Sequence, residues 1–146
     1  MRINDTLVVN LILDTGTRNI VLFGKRFQKY FTTQPNRPIQ FSGLGSGKPV
    51  IGKLTINNEV SIQSISGLDI PIVVVPNKNL FESYLNVHGV IGYEIFLKFE
   101  VEINPAAQQI TFRSPEHSTL SKQYVRLPLR IVDSRPLLDC QIIFQG

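Results

Sequence analysis

Leu7-Val8-Val9-Asn10-Leu11-Ile12-Leu13-Asp14-Thr15-Gly16-Thr17 holds the pattern from which the rest of the chain is best read. A nearly continuous apolar run, broken only by Asn10, leads straight into a carboxylate and a glycine-containing turn. Such a run, bounded by turn residues, predicts a buried β-strand from Leu7 to Leu13 that ends at Asp14. Gly16 admits close backbone approach and unusual dihedrals, while Thr15 and Thr17 bring hydroxyls within reach of the carboxylate or of neighbouring backbone. Two readings fit these residues equally. In one, Asp14 bonds its own backbone in an Asx-type turn. In the other, a rigid strand end presents the carboxylate for chemistry.

Working outward, short runs of Val, Ile, Leu and Phe separated by turn residues predict an all-β domain. Asn19 to Phe23 reads as a second short strand and Thr32 to Pro38 as loop. Ile39 to Lys53 carries Gly43, Gly45, Gly47 and Gly52 inside β-like sequence, which fits a long hairpin with a mobile tip. Lys53 to Ile65 alternates apolar and polar residues, and Asn57-Asn58 is expected to turn it back on itself. Ile70 to Val75 is a compact apolar strand bracketed by Pro71 and Pro76, whose missing N–H groups suit strand ends. Leu80 to Leu85 fits a helical turn or two. Val90-Ile91-Gly92 precedes Tyr93 to Phe99, where Ile95, Phe96 and Phe99 share a helical face. Glu100 to Asn104 and Gln109 to Arg113 read as a hairpin around Pro105.

Composition narrows the functional classes. The 146 residues are 42% hydrophobic, 18% charged and 9% aromatic, ordinary for a globular domain large enough to bury a core. The net charge of +4 is spread along the chain, whereas a nucleic-acid binder gathers its cations on one stripe. Lys25, Arg26 and Lys29 are the densest basic group and read as a solvated turn. Cys140 is the only cysteine, so no internal disulfide or cysteine metal cluster is expected, and it sits in alternating sequence that predicts burial. No apolar run approaches the roughly 20 residues of a membrane span. Nothing at Met1 reads as a signal sequence; the compartment is open, and an exported location follows if a leader has been removed.

Three features in order, the Leu11 to Thr17 motif, the glycine-rich hairpin and Val90-Ile91-Gly92 before a short helix, resemble the retropepsin-like aspartic proteases. The resemblance covers roughly residues 7 to 113 and is nearest to cellular and bacterial members. It implies a closed β-barrel with a flap hairpin and one short helix. It implies Asp14 as the catalytic carboxylate holding the attacking water, Thr15 bonding across to a partner lobe, Thr17 bonding the outer oxygen of Asp14, and Gly16 shaping the turn. Gly43, Leu44, Gly45, Ser46 and Gly47 would form the substrate-binding flap tip, with Phe41 the only aromatic nearby. No cofactor or metal is implied.

The chemistry of that family needs paired carboxylates, and no second motif of this kind occurs in the chain. Asp5, Asp69, Asp133 and Asp139 sit in no comparable turn. The partner Asp is expected from a homodimer or from a covalently following second lobe. The tail, with Val125 to Leu129, Arg135 to Leu138 and Ile142 to Gly146, favours the second lobe. The expected division is thus a protease lobe at 1–118 and an extension at 119–146 that begins another lobe. The expected activity is endopeptidase cleavage of a peptide or protein, with no nucleic acid and no membrane span. The alternative is an inactive peptide-binding or structural module of the same fold.

Weaker patterns fall away. Gly43 to Lys48 superficially matches a phosphate-binding loop, but Ser42 stands at the first required glycine and Pro49 follows the lysine. His88 and His117 lack ligand-spaced partners and read as surface or loop histidines.

Overall fold

The computed structural model describes residues 1–31, 37–41, 49–76, 86–117, 122–132 and 135–144. They divide into two compact units, Met1–Gly92 and Tyr93–Gly146. The first is built from strands β1 (Arg2–Ile3), β2 (Leu7–Val8), β3 (Leu11–Leu13), β4 (Ile20–Phe23), β5 (Arg37–Phe41), β6 (Val50–Ile62), β7 (Ile65–Val75) and β8 (Gly89–Ile91), with a 3-10 helix over Lys25–Tyr30 after β4. The strands form one sheet in the order β2-β1-β6-β7-β4-β8-β3, with β5 paired to β6. It curls as a half-barrel, and the all-β, retropepsin-like architecture stands.

The central pair β4 and β7 is parallel, with Ile20 opposite Ile72 and Phe23 opposite Val75. β4 and the stretch of β7 that pairs with it, Ile72–Val75, are uninterrupted apolar runs, as strands covered on both faces should be. Alternation sorts their side chains. Ile20, Leu22, Ile72 and Val74 join Ile3, Leu7, Val9, Phe27, Phe31 and Val60 in one cluster. Val21, Val73 and Val75 join Val90 in the other. Ile72 and Val73 are wholly buried, and burying such side chains contributes about 1.5–3 kcal/mol each.

Several expectations are corrected. Leu7–Leu13 is not one buried strand: it breaks at Val9-Asn10, and Leu11, Ile12 and Leu13 are half-buried. Asn10 is bound instead by the segment before β8, its N–H donating to His88 Nδ1 (2.9 Å) and its carbonyl accepting from His88 N–H (2.8 Å). Nor does the chain turn at Asn57-Asn58. β6 runs through both, and the reversal falls at Gln63-Ser64, between the paired Ile62 and Ile65. Asn57 adopts φ 58, which asparagine tolerates, and the register shifts around it. Asn58 is buried here, its amide donating to Thr55 Oγ1 and to the Ile70 carbonyl, while its Oδ1 accepts from Asn4. Pro71 consequently lies inside β7 rather than at its start, opposite this irregularity, where a missing N–H breaks no regular ladder bond.

The second unit holds α1 (Glu94–Lys98), the antiparallel pair β9 (Glu100–Asn104) and β10 (Gln109–Arg113), a 3-10 turn over Pro115–His117, and the pair β11 (Arg130–Val132) and β12 (Arg135–Leu137). Ile95, Phe96 and Phe99 are half-buried, and Phe99 meets Phe112 edge-on at 6.2 Å. The hairpin over β9 and β10 has the bounds expected of it. Cys140 does not: it is exposed, in a stretch that pairs with no strand among the described residues. The flap tip at 43–47 and the expected helical turns at 80–85 lie outside the described residues.

Candidate active site

Asp14 leaves β3 at the point where that strand's parallel partner, β8, also ends. β3 pairs with β8 through Leu11–Gly89, Ile12–Val90 and Leu13–Ile91. The ladder closes with the Asp14 N–H donating to the Ile91 carbonyl at 2.9 Å. On its other side β8 is antiparallel to β4, Val21 facing Val90 and Leu22 facing Gly89. β8 therefore threads between the two strands that flank the Asp14 turn.

That threading explains two glycines. A Cβ on Gly89 would stand 1.9 Å from the Val21 carbonyl oxygen. A Cβ on Gly92 would stand 2.2 Å from the Arg18 carbonyl oxygen and 2.3 Å from that of Thr17. Neither approach is possible for a residue with a side chain. Gly92 seats the backbone that follows Asp14; Gly89 seats the strand beyond it.

The carboxylate is held at both oxygens. Gly16 N–H donates to Asp14 Oδ1 at 2.8 Å, and the Thr17 hydroxyl donates to Oδ2 at 2.7 Å. The first is the Asx-turn bond. The second lies beyond what that turn requires. The two readings of the motif are therefore combined in one geometry: the turn bond and the hydroxyl together stop the carboxylate rotating about its own bond. A carboxylate offers about four lone-pair sites, so two directions remain open for a water or a second acid. Asp14 and Thr17 are half-buried, while Thr15 and Gly16 are exposed. The turn is thus rooted in the core and open at its rim.

The structure places Asp14, Thr15, Gly16 and Thr17 in one turn. Gly43, Leu44, Gly45, Ser46 and Gly47 lie outside the described residues, although β5 and β6 on either side of them are paired from Phe41–Val50 to Arg37–Leu54. Sequence reasoning passed over Gly89 and the Asn10–His88 contact. A glycine beside an apolar strand pair signals close backbone approach, so Gly89 was available to it. The contact with Asn10 spans 78 residues and left no local trace. Among the described residues no group of three or more His, Cys, Asp or Glu side chains could hold a metal ion, and no helix is long and apolar enough to cross a membrane.

A curled β unit with an Asp-Thr-Gly-Thr turn on a threaded strand pair is the fold of the retropepsin-like aspartic protease class. A family model described as aspartyl protease matches residues 1–95, a span that includes the whole of this unit. The chain belongs to the aspartyl protease family. Neither the curated proteins nor the solved structures gave a match.

Proposed function

We propose that this chain is one lobe of an aspartic endopeptidase, with Asp14 as one of two catalytic carboxylates. The observation that carries the reading is the immobilised Asp14 carboxylate, bonded by Gly16 and Thr17 at the end of a half-buried strand. In the proposed reaction, an ionised carboxylate takes a proton from water, which attacks the scissile carbonyl. A protonated partner carboxyl donates to the carbonyl oxygen. Like charges in close contact do not both ionise, so the pair shares a proton and its two apparent pKa values belong to the pair.

The second Asp would come from another copy of the chain or from a lobe following residues 119–146, with 1–118 as the Asp14 lobe. The exposed rim position of Thr15 supports its assignment to a contact across the dyad. Gly43, Leu44, Gly45, Ser46 and Gly47 are assigned to the flap over an extended peptide, which would bind partly through backbone hydrogen bonds.

The test combines light scattering with cleavage of a peptide library at acidic pH, for the parent and Asp14→Asn. A dimer, or the chain supplied with a second lobe, should cleave. Asp14→Asn should lower the rate by a factor of about 10⁴, as loss of a core catalytic group does in other hydrolases, with melting little changed. Undiminished cleavage by Asp14→Asn refutes the assignment. Peptide binding without cleavage by any assembled form favours the inactive binding module.

A further inference from the structure

We propose that Asn58 is a positioning residue, whose buried amide fixes a joint in β6 and so sets the course of the arm made by β5 and the first half of β6. The register of β6 against β7 shows where the joint lies. Thr55 faces Ile72 and Asn58 faces Ile70, so Ile56 and Asn57 together oppose Pro71. Val60 then faces Gly67, so Glu59 opposes both Leu68 and Asp69. Each strand thus carries one extra residue, and the pairing resumes in its original register. Each bulge also holds a residue in the left-handed region, Asn57 at φ 58 and Asp69 at φ 57. A bulge bends its strand and raises the local twist, and here two follow each other on facing strands.

The joint divides β6 by its partners and by its faces. On one side, Val50–Leu54 pairs with β5. On the other, Val60 and Ser61 pair with β1. An extra residue turns the side chains of a strand over. Accordingly, Val50 and Leu54 pack against the cluster of Val21, Val73, Val75 and Val90, whereas Val60 belongs to that of Ile3, Leu22 and Ile72.

Asn58 sits where this change of face occurs, and it is only 3% exposed. Its amide donates to Thr55 Oγ1 and to the Ile70 carbonyl, both at 3.0 Å. The Thr55 hydroxyl donates in turn to the Ile72 carbonyl at 3.0 Å. Side chains of β6 therefore hold the carbonyls on both sides of Pro71. Asn58 Oδ1 accepts from Asn4 Nδ2 at 3.2 Å, and Asn4 bonds both the N–H and the carbonyl of Glu59. A buried amide is costly unless it is partnered, and a satisfied network of this kind selects one arrangement. With residues 43–47 assigned to the flap, as proposed above, the arm is the stalk of that flap, and a role for Asn58 in aiming it at substrate rests on that assignment. The joint itself does not.

Residual dipolar couplings of the backbone amides test the joint without any assay of cleavage, so it can fail while the peptidase reading stands, or the reverse. In the parent, β5, Val50–Leu54 and the β4–β7 pair should fit a single alignment. Asn58→Leu keeps the branched shape and removes every bond. The arm should then need an alignment of its own, and its amides should exchange about tenfold faster, the scale of a lost buried hydrogen bond. Asn57→Gly suits the same backbone and keeps the Asn58 amide, so it should leave the arm where it is. A merely stabilising residue would lower the melting temperature and leave one alignment; that result in Asn58→Leu overturns the proposal. Should Asn58→Leu not fold, the parent decides: the Asn58 side-chain amide must exchange slowly and the arm must share the alignment of the sheet. Rapid exchange, or a separate alignment, overturns the joint.

Discussion

The two units of this chain are both built from apolar strands, yet they treat those side chains differently. In Met1–Gly92 the runs at β4 and β7 vanish into the core, with Leu22 and Ile72 fully buried. In Tyr93–Gly146, Ile103 and Ile110 face each other across β9 and β10 and remain about half exposed. Val125, Leu127, Leu129 and Ile131 alternate along the tail, and all four are open. Alternation alone does not bury a strand. Burial needs a second apolar layer, and the first unit makes one by curling its sheet so that central strands are covered on both faces.

Cavity-forming substitutions should break this symmetry most sharply. Ile72→Ala removes a wholly buried side chain and should destabilise the first unit by about 2–5 kcal/mol. Ile110→Ala makes the matching change on the hairpin, where the result should stay within about 0.5 kcal/mol. Chemical denaturation of both variants checks the pair. Equal losses would mean that the hairpin's apolar face is covered in solution, and the contrast between the units would dissolve.

A finer comparison sets two glycines of the site against each other. Gly92→Ala drives a methyl into the Thr17 and Arg18 carbonyls, which are backbone and cannot swing away. Overpacking of that kind should destabilise by about 3 kcal/mol. Gly16→Ala meets only Asp14 Oδ1, at 3.2 Å, so its effect on stability should be well under half as large. Its effect on cleavage, by turning the carboxylate, should exceed its effect on folding. If both alanines prove equally benign, β8 does not seat the Asp14 turn.

These contrasts track what was legible beforehand. Asp14 to Thr17 could be read because the backbone donor of Gly16, the hydroxyl donor of Thr17 and the acceptor lie within four consecutive residues. β9 and β10 could be read because each is locally alternating and joined by a short turn. The break at Asn10 could not, since the residue that causes it is His88. Asn57-Asn58 misled for a related reason: the conformation that lets asparagine close a hairpin also lets it sit in a bulge. The choice between them was made by Asn4 and Ile70, neither of them a neighbour in sequence. Local chemistry is legible in the chain, while the selection between two local options is tertiary.

The smallest expected effect concerns the polar face of the β9–β10 hairpin, and it bears on what holds the second unit. The guanidinium of Arg113 bonds Glu102 at 2.5 Å and lies 3.7 Å from Glu100, and the Tyr124 hydroxyl donates to Glu102 at 3.1 Å. The Arg113 hydrogen bond, followed by that from Tyr124, holds the Glu102 carboxyl below its usual range. The same bond to Glu102 pushes the Tyr124 phenol up. A depressed carboxyl contributes stability above the pH where the unfolded group titrates, about 4.3, and loses it as the pH falls through the lowered value. The raised phenol contributes below its ordinary value and loses that on the alkaline side, so both act together at neutral pH. Arg113 and Tyr124 are open to solvent and Glu102 is partly so, and there attraction is screened and ordering long side chains opposes it. Glu102→Gln should therefore change amide exchange in β9 and β10 only slightly at neutral pH, and not at all in high salt. A large loss that persists in salt would make this cluster, rather than its strand pairing, the mainstay of the hairpin. The second unit would then be held by polar contacts where the first is held by its core.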